Sequence, residues 1–255
     1  MKHCLSFLTV FFSFVLFTFP SAARADLVRV AVASNFLVPL KEITAAFEKS
    51  TGHRVLVSSG STGKLYAQIT NGAPFELFLS ADRKTVGLLF LPAEHHYIYA
   101  QGKLVLYSRE KNLFTPSSAI KFLQEGHFDR LAIANPLVAP YGRASREVLA
   151  ALSLEETMKA KLIKGENISQ TYQFVATGNA KAGFVAASQI SEETKGSFWY
   201  VDEKLYSPID QAVGLLEKGK GNPAARQFFE FLKQKQATDI IRRYGYGVVK
   251  QKKQS

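Results

Sequence analysis

VRVAVASNFLVPLKEITAAF, residues 28–47, is the stretch on which the fold turns. Residues 28–33 form an apolar run interrupted only by Arg29, as a strand buried on both faces requires. Beyond Ser34-Asn35 the period changes from two to about 3.6: Leu37, Leu40, Ile43 and Phe47 fall on one helical face. Pro39 fits only the first turn of that helix, and Gly52 supplies its stop. The segment therefore predicts strand, polar turn and helix in direct succession.

The same unit returns along the chain. A polar, Gly- or Ser-containing turn follows an apolar run at VSSGSTGK (57–64), IANPLVAPYG (133–142) and KGENISQ (164–170), each leading into amphipathic sequence. Further strands are expected at 55–57, 77–79, 103–108, 131–134, 183–187 and 199–201, and helices at 65–71, around 120–123, and at 143–152, 168–174, 224–232 and 238–244. Strands alternating with helices argue for an α/β fold with mixed, mostly parallel sheets. The resemblance between the unit at residue 28 and the unit near 131 suggests two lobes joined without a linker. Ligands of such folds sit at the carboxyl ends of strands, where helix starts meet. A helix start carries unpaired N–H groups and partial positive charge, so four of them suit a small oxyanion better than a reaction centre.

Composition narrows the setting. Lys2, the apolar run 5–19 and Ala23-Arg24-Ala25 have the form of a cleaved export signal, predicting a mature start at Asp26. The single cysteine, Cys4, lies inside that signal, so the exported chain has no disulfide or thiolate chemistry. Cys4 also precedes the apolar run, the wrong place for a lipid anchor. Formal charge is +11, or +9 once Lys2 and Arg24 leave with the signal. These cations are scattered rather than clustered with aromatics, which argues against a nucleic-acid partner.

Each motif has a plain alternative. The segment 58–65, SSGSTGKL, is not a nucleotide phosphate loop, because Ser58 and Leu65 stand where that loop needs glycine and a hydroxyl. Ser61 or Thr62 can be an ordinary helix cap, as can Ser34-Asn35. Tyr141 and Ile168 can be core residues whose only polar contribution is a backbone N–H. His53, His95, His96 and His127 lack metal-ligand spacing and suit surface loops. Only Glu166 and His53 are candidates for a general acid or base.

Taken in order, VAVASNF, residues 58–84, KLVLYS, IANPLVAPYGRA, GENISQ and AGFVAASQI resemble the periplasmic molybdate-binding proteins of ABC transporters. The resemblance covers nearly all of the chain after residue 25. It implies a two-lobed type II solute-binding fold, with residues 26–104 and 209–255 in one lobe and 105–208 in the other. It also implies a molybdate or tungstate ligand held by neutral donors: Ser34, Asn35, Ser61 or Thr62, Tyr141 through its amide and Ile168 through its amide. No cofactor or bound cation is expected. The implied partners are an inner-membrane permease with a cytoplasmic ATPase, and the implied form is a monomeric periplasmic receptor. One departure is Ala186, where some members carry a tyrosine that reaches the anion. Sulfate, thiosulfate or phosphate receptors on the same fold are the alternatives, followed by a small periplasmic enzyme.

Overall fold

In the computed structural model, which describes residues 26–191 and 193–248, two five-stranded sheets form two lobes. The export signal expected at 1–25 lies outside the described residues. The first sheet holds β1 (Leu27–Ala33), β2 (Arg54–Gly60), β3 (Leu77–Leu79) and β4 (His96–Gly102). The second holds β5 (Leu104–Ser108), β6 (Leu131–Ala134), β7 (Leu162–Gly165), β8 (Ala182–Ala186) and β9 (Ser197–Tyr200). The chain then returns to the first sheet as β10 (Ile209–Leu215).

The strand orders β2-β1-β3-β10-β4 and β7-β6-β8-β5-β9 are the same pattern used twice. On one side of each sheet the strands run parallel, β1 with β2 and β3, and β6 with β7 and β8. On the other side the pairs are antiparallel, β10 with β3 and β4, and β5 with β8 and β9. The antiparallel share is thus larger than the strand–helix alternation implied, because β5 and β10 each enter a sheet directly from the other lobe. A single residue, Lys103, separates the end of β4 from the start of β5.

Packing follows the sequence pattern closely around β1. Val30, Ala31 and Val32 are fully buried; the helix Leu37–Thr51 lays Leu40, Ile43 and Phe47 against the face of Val30 and Val32, while Ala31 packs with Leu65 and Phe78 on the other. That helix stops at Gly52. The second lobe has its own core around Leu104, Leu106, Ile133, Val148 and Phe184, which Ala33 and Ala81 of the first lobe join. The lobes therefore touch through packed side chains at the ends of β1 and β3.

Two strands carried weak signals. His95 and His96 do not form a surface loop: His95 closes the short turn Ala93–His95, and His96 opens β4. The imidazole Nδ1 of His96 is 3.1 Å from the carbonyl of Pro92. Adjacent polar rings masked the alternating pattern of HYIYAQG. Strand β7 is four residues long and lies at a sheet edge, too short to register a period. No helix among the described residues is long and apolar enough to cross a membrane.

Candidate functional site

All four polar turns meet at one place. Strands β1 and β2 are followed directly by Ser34 and Ser61, and β6 and β7 by turns that open the helices Pro140–Ala151 and Ile168–Ala176. Together they line a small cavity of about 10 Å³, partly open to solvent, between the lobes. Ser34, Asn35, Ser61, Thr62, Tyr141 and Ile168 all line it. The remaining walls are Ala33, Gly60, Ala81, Ala139, Pro140 and Asn167, so none of the described lining residues carries a formal charge.

The first lobe contributes hydroxyls. Ser61 is 3 % exposed, and its Oγ is buried with no hydrogen-bond partner. An unpaired buried hydroxyl costs about 1–3 kcal/mol, which a ligand accepting its proton recovers. Thr62 is engaged differently: its Oγ1 accepts the N–H of Ala81 at 3.1 Å, leaving the hydroxyl proton free to donate. The two residues thus divide the work, Thr62 tied to the end of β3 and Ser61 uncommitted. Ser34 lies on the short turn Ser34–Phe36, 8 % exposed.

Asn35 is held from behind. Its Nδ2 donates to Gln211 Oε1 and to the Tyr246 hydroxyl, both at 2.9 Å. With both side-chain protons spent, Asn35 faces the cavity with its backbone only. Tyr99 donates to the same Gln211 oxygen at 2.9 Å, and Gln211 Nε2 donates to the Tyr141 hydroxyl at 3.2 Å. Burial pushes the Tyr246 hydroxyl up to about 12, and pushes Tyr99 and Tyr141 well above their ordinary value, with nearby tyrosines adding to the effect. The whole network is neutral at any physiological pH.

The second lobe contributes backbone. Tyr141 and Ile168 stand in the first turn of their helices, where a helix supplies no acceptor for the N–H. Their side chains are 1 % and 3 % exposed and belong to the second lobe's core. The core reading of these residues is therefore what their side chains show, and both residues also line the cavity. Asn167 caps the Ile168–Ala176 helix through its side chain, which accepts from Gln170 N at 3.0 Å. At Gly142 a Cβ would overlap the carbonyl of Ala134, so glycine is what lets the third turn fold back on β6.

Cations nearest the cavity are spent on the other lobe's carboxylates. Lys64 Nζ donates to Glu166 Oε2 at 2.7 Å, and Arg143 pairs with Asp82. Both pairs bridge the lobes at the rim, outside the lining. Glu166 and His53 do not reach the cavity floor: Glu166 is engaged by Lys64, and His53 accepts the Asp26 N–H at 3.2 Å and stacks on Phe47. Ala186 is fully buried and does not line the cavity. The turn after it acts indirectly, with Gln189 accepting the Ala186 N–H at 2.9 Å and donating to the Ile168 carbonyl at 3.2 Å.

A wider bowl on the second lobe includes Arg109, Lys161 and Lys181 in its lining. These cations are already engaged: Lys181 with Glu110 at 2.6 Å, Lys161 with the Gly126 carbonyl, and Arg109 with the Ala176 carbonyl at 3.4 Å. The bowl is open, and its lining, which also includes Glu110, Asp129 and Arg130, is charged where that of the interlobe cavity is not.

Residues 28–247 match the family model described as bacterial extracellular solute-binding protein. The molybdate-binding protein ModA of Azotobacter vinelandii is 49% identical over 234 residues, covering 89% of this chain and 92% of that protein. ModA of Rhodobacter capsulatus is 45% identical, covering 88% and 89%. Among solved structures, the Azotobacter vinelandii periplasmic molybdate-binding protein superposes with a TM-score of 0.84 at 36% identity, over 88% of this chain and 100% of that one.

Proposed function

The chain belongs to the bacterial extracellular solute-binding proteins, and from that premise we infer a receptor that captures molybdate for an ABC transporter and is not an enzyme. The relatives that share nearly half of its residues are named for molybdate binding. The observation that carries the reading is the convergence of four helix-opening turns on one uncharged cavity, with the buried Ser61 hydroxyl lacking any protein partner.

Ser34, Ser61 and Thr62 donate hydroxyl protons from one lobe, while the amides of Asn35, Tyr141 and Ile168 donate from both. Each hydrogen bond to a full anionic charge contributes about 1.5–3 kcal/mol net. Several such donors hold a dianion without a lysine or arginine, and no cofactor is needed. Release then requires only that the lobes part and the dipoles lose alignment. Tungstate, nearly the size of molybdate, shares the site; sulfate is smaller and leaves donors out of reach.

In this reading residues 26–103 with 209–248, and 104–208, are the two lobes that close on the anion; the boundary lies one residue earlier than expected because Leu104 opens β5 of the second sheet. The receptor works in the periplasm after loss of residues 1–25, as a monomer, and hands molybdate to an inner-membrane permease driven by a cytoplasmic ATPase. Isothermal titration of ligand-stripped protein with molybdate, tungstate, sulfate and phosphate tests this. Tight one-to-one binding of the first two alone is expected. Binding of sulfate or phosphate instead keeps the fold and overturns the ligand.

A further inference from the structure

Two serines of the second lobe grip the first turn from its far side. Ser169 Oγ donates to the carbonyl of Ser34 at 3.2 Å, and Ser188 Oγ donates to the carbonyl of Asn35 at 2.9 Å. Ser169 sits in the Ile168–Ala176 helix, and Ser188 in the short turn Ala187–Gln189 after β8. Neither lines the cavity. Ser188 also stands 2.9 Å from the hydroxyl of Tyr246, which reaches the same Asn35 carbonyl at 2.8 Å from the first lobe.

We propose that Ser169 and Ser188 are positioning residues for anion capture: on closure their hydroxyls clasp both carbonyls of the Ser34–Asn35 turn and hold its donors on the ligand. The proposal rests on the receptor reading. Its physical basis is the planarity of the peptide bond, in which fixing the Ser34 carbonyl fixes the Asn35 N–H on the opposite edge of the same unit. Asn35, 3 % exposed, is already anchored within its own lobe by Gln211 and Tyr246, so that turn is a prepared surface for the clasp.

The contacts join different lobes, so they form after encounter and break before release. Their effect therefore falls on the rate of dissociation. When the lobes part, both hydroxyls return to water, and the ligand-free protein gains nothing from them. A serine that merely stabilised its own lobe would behave in the opposite way.

The test compares wild type, Ser169→Ala, Ser188→Ala and the double variant by stopped-flow molybdate binding, with melting of the ligand-free proteins alongside. Loss of one ordinary hydrogen bond predicts a roughly three- to tenfold faster release in each single variant and a larger one in the double. The association rate and the ligand-free melting temperature are expected to stay at wild-type values. Wild-type release rates in the double variant overturn the clasp, as does a loss of affinity matched by a lower ligand-free melting temperature. A wild type that binds no molybdate overturns the receptor reading and the clasp together, and so is distinguishable from failure of the clasp alone.

Discussion

The two lobes share one strand order and place their paired turns at equivalent strand ends, yet they offer the cavity different chemistry. The first lobe presents Ser34, Ser61 and Thr62 as side-chain hydroxyls. The second presents Tyr141 and Ile168, whose side chains are buried in its core and whose N–H groups lie in the first turn of their helices. The contrast teaches that a fold can supply equivalent donors from side chain or from backbone, and that the two kinds respond differently to mutation. Hydroxyls are lost on substitution by alanine; helix-start amides survive every substitution except proline.

The comparison breaks most visibly on the hydroxyl side. Ser34→Ala with Ser61→Ala removes two charge-assisted donors, and titration with molybdate should show affinity falling at least a hundredfold, from about 1.5–3 kcal/mol each. Retained affinity would show that the amides with Thr62 suffice.

On the backbone side, Ile168→Pro is the sharpest probe. Ile168 is the first helical residue, where proline is tolerated, and Asn167 before it is extended (φ −151°, ψ 173°), as a residue preceding proline prefers. The substitution deletes one donor and should weaken molybdate binding about ten- to hundredfold. Ile168→Ala shortens the same buried side chain but keeps the N–H. It should melt earlier, by about 2–5 kcal/mol in stability, yet bind within a few-fold of wild type.

Smaller still is the effect of the rim charges. Lys64→Met breaks an ion pair whose side chains are 51% and 66% exposed. Such pairs contribute at most about 1 kcal/mol, so a few-fold change in affinity and a weaker salt dependence are expected. Loss of binding would place a cation in direct contact with the anion.

The pH dependence sharpens the same point. The folded state holds Tyr246 protonated up to about 12, whereas an unfolded tyrosine ionises near its ordinary value of 10.0. A raised pKa stabilises the fold fully below the unfolded value and loses that contribution as pH climbs through the folded one. Denaturant titrations should therefore give a plateau below about pH 10 and a decline from there toward 12. Molybdate affinity should be level between about pH 6 and 9, since no donor in the cavity titrates there.

Much of this was legible in the chain. The strand at residue 28 and the helix after it follow from apolar spacing, because their pattern and their burial coincide. The six residues named from the turns all line the same cavity, since helix starts at parallel strand ends converge by topology. Strand β4 was masked by its paired histidines and β7 by its length. The neutral network behind Asn35 was not legible, because it joins Asn35, Tyr99, Tyr141, Gln211 and Tyr246 across up to 211 residues of sequence. The division of labour between Ser61 and Thr62 depends on the end of β3, which no local pattern encodes.

The most direct test of neutral capture is a crystal structure of the protein with tungstate, located by its anomalous scattering. The account predicts one strong peak between the Ser34 and Ser61 hydroxyls and the Tyr141 and Ile168 amides, with Lys64 and Arg143 still bonded to Glu166 and Asp82. A peak held by Lys64 or Arg143, or one in the bowl of Arg109, Lys161 and Lys181, would contradict it.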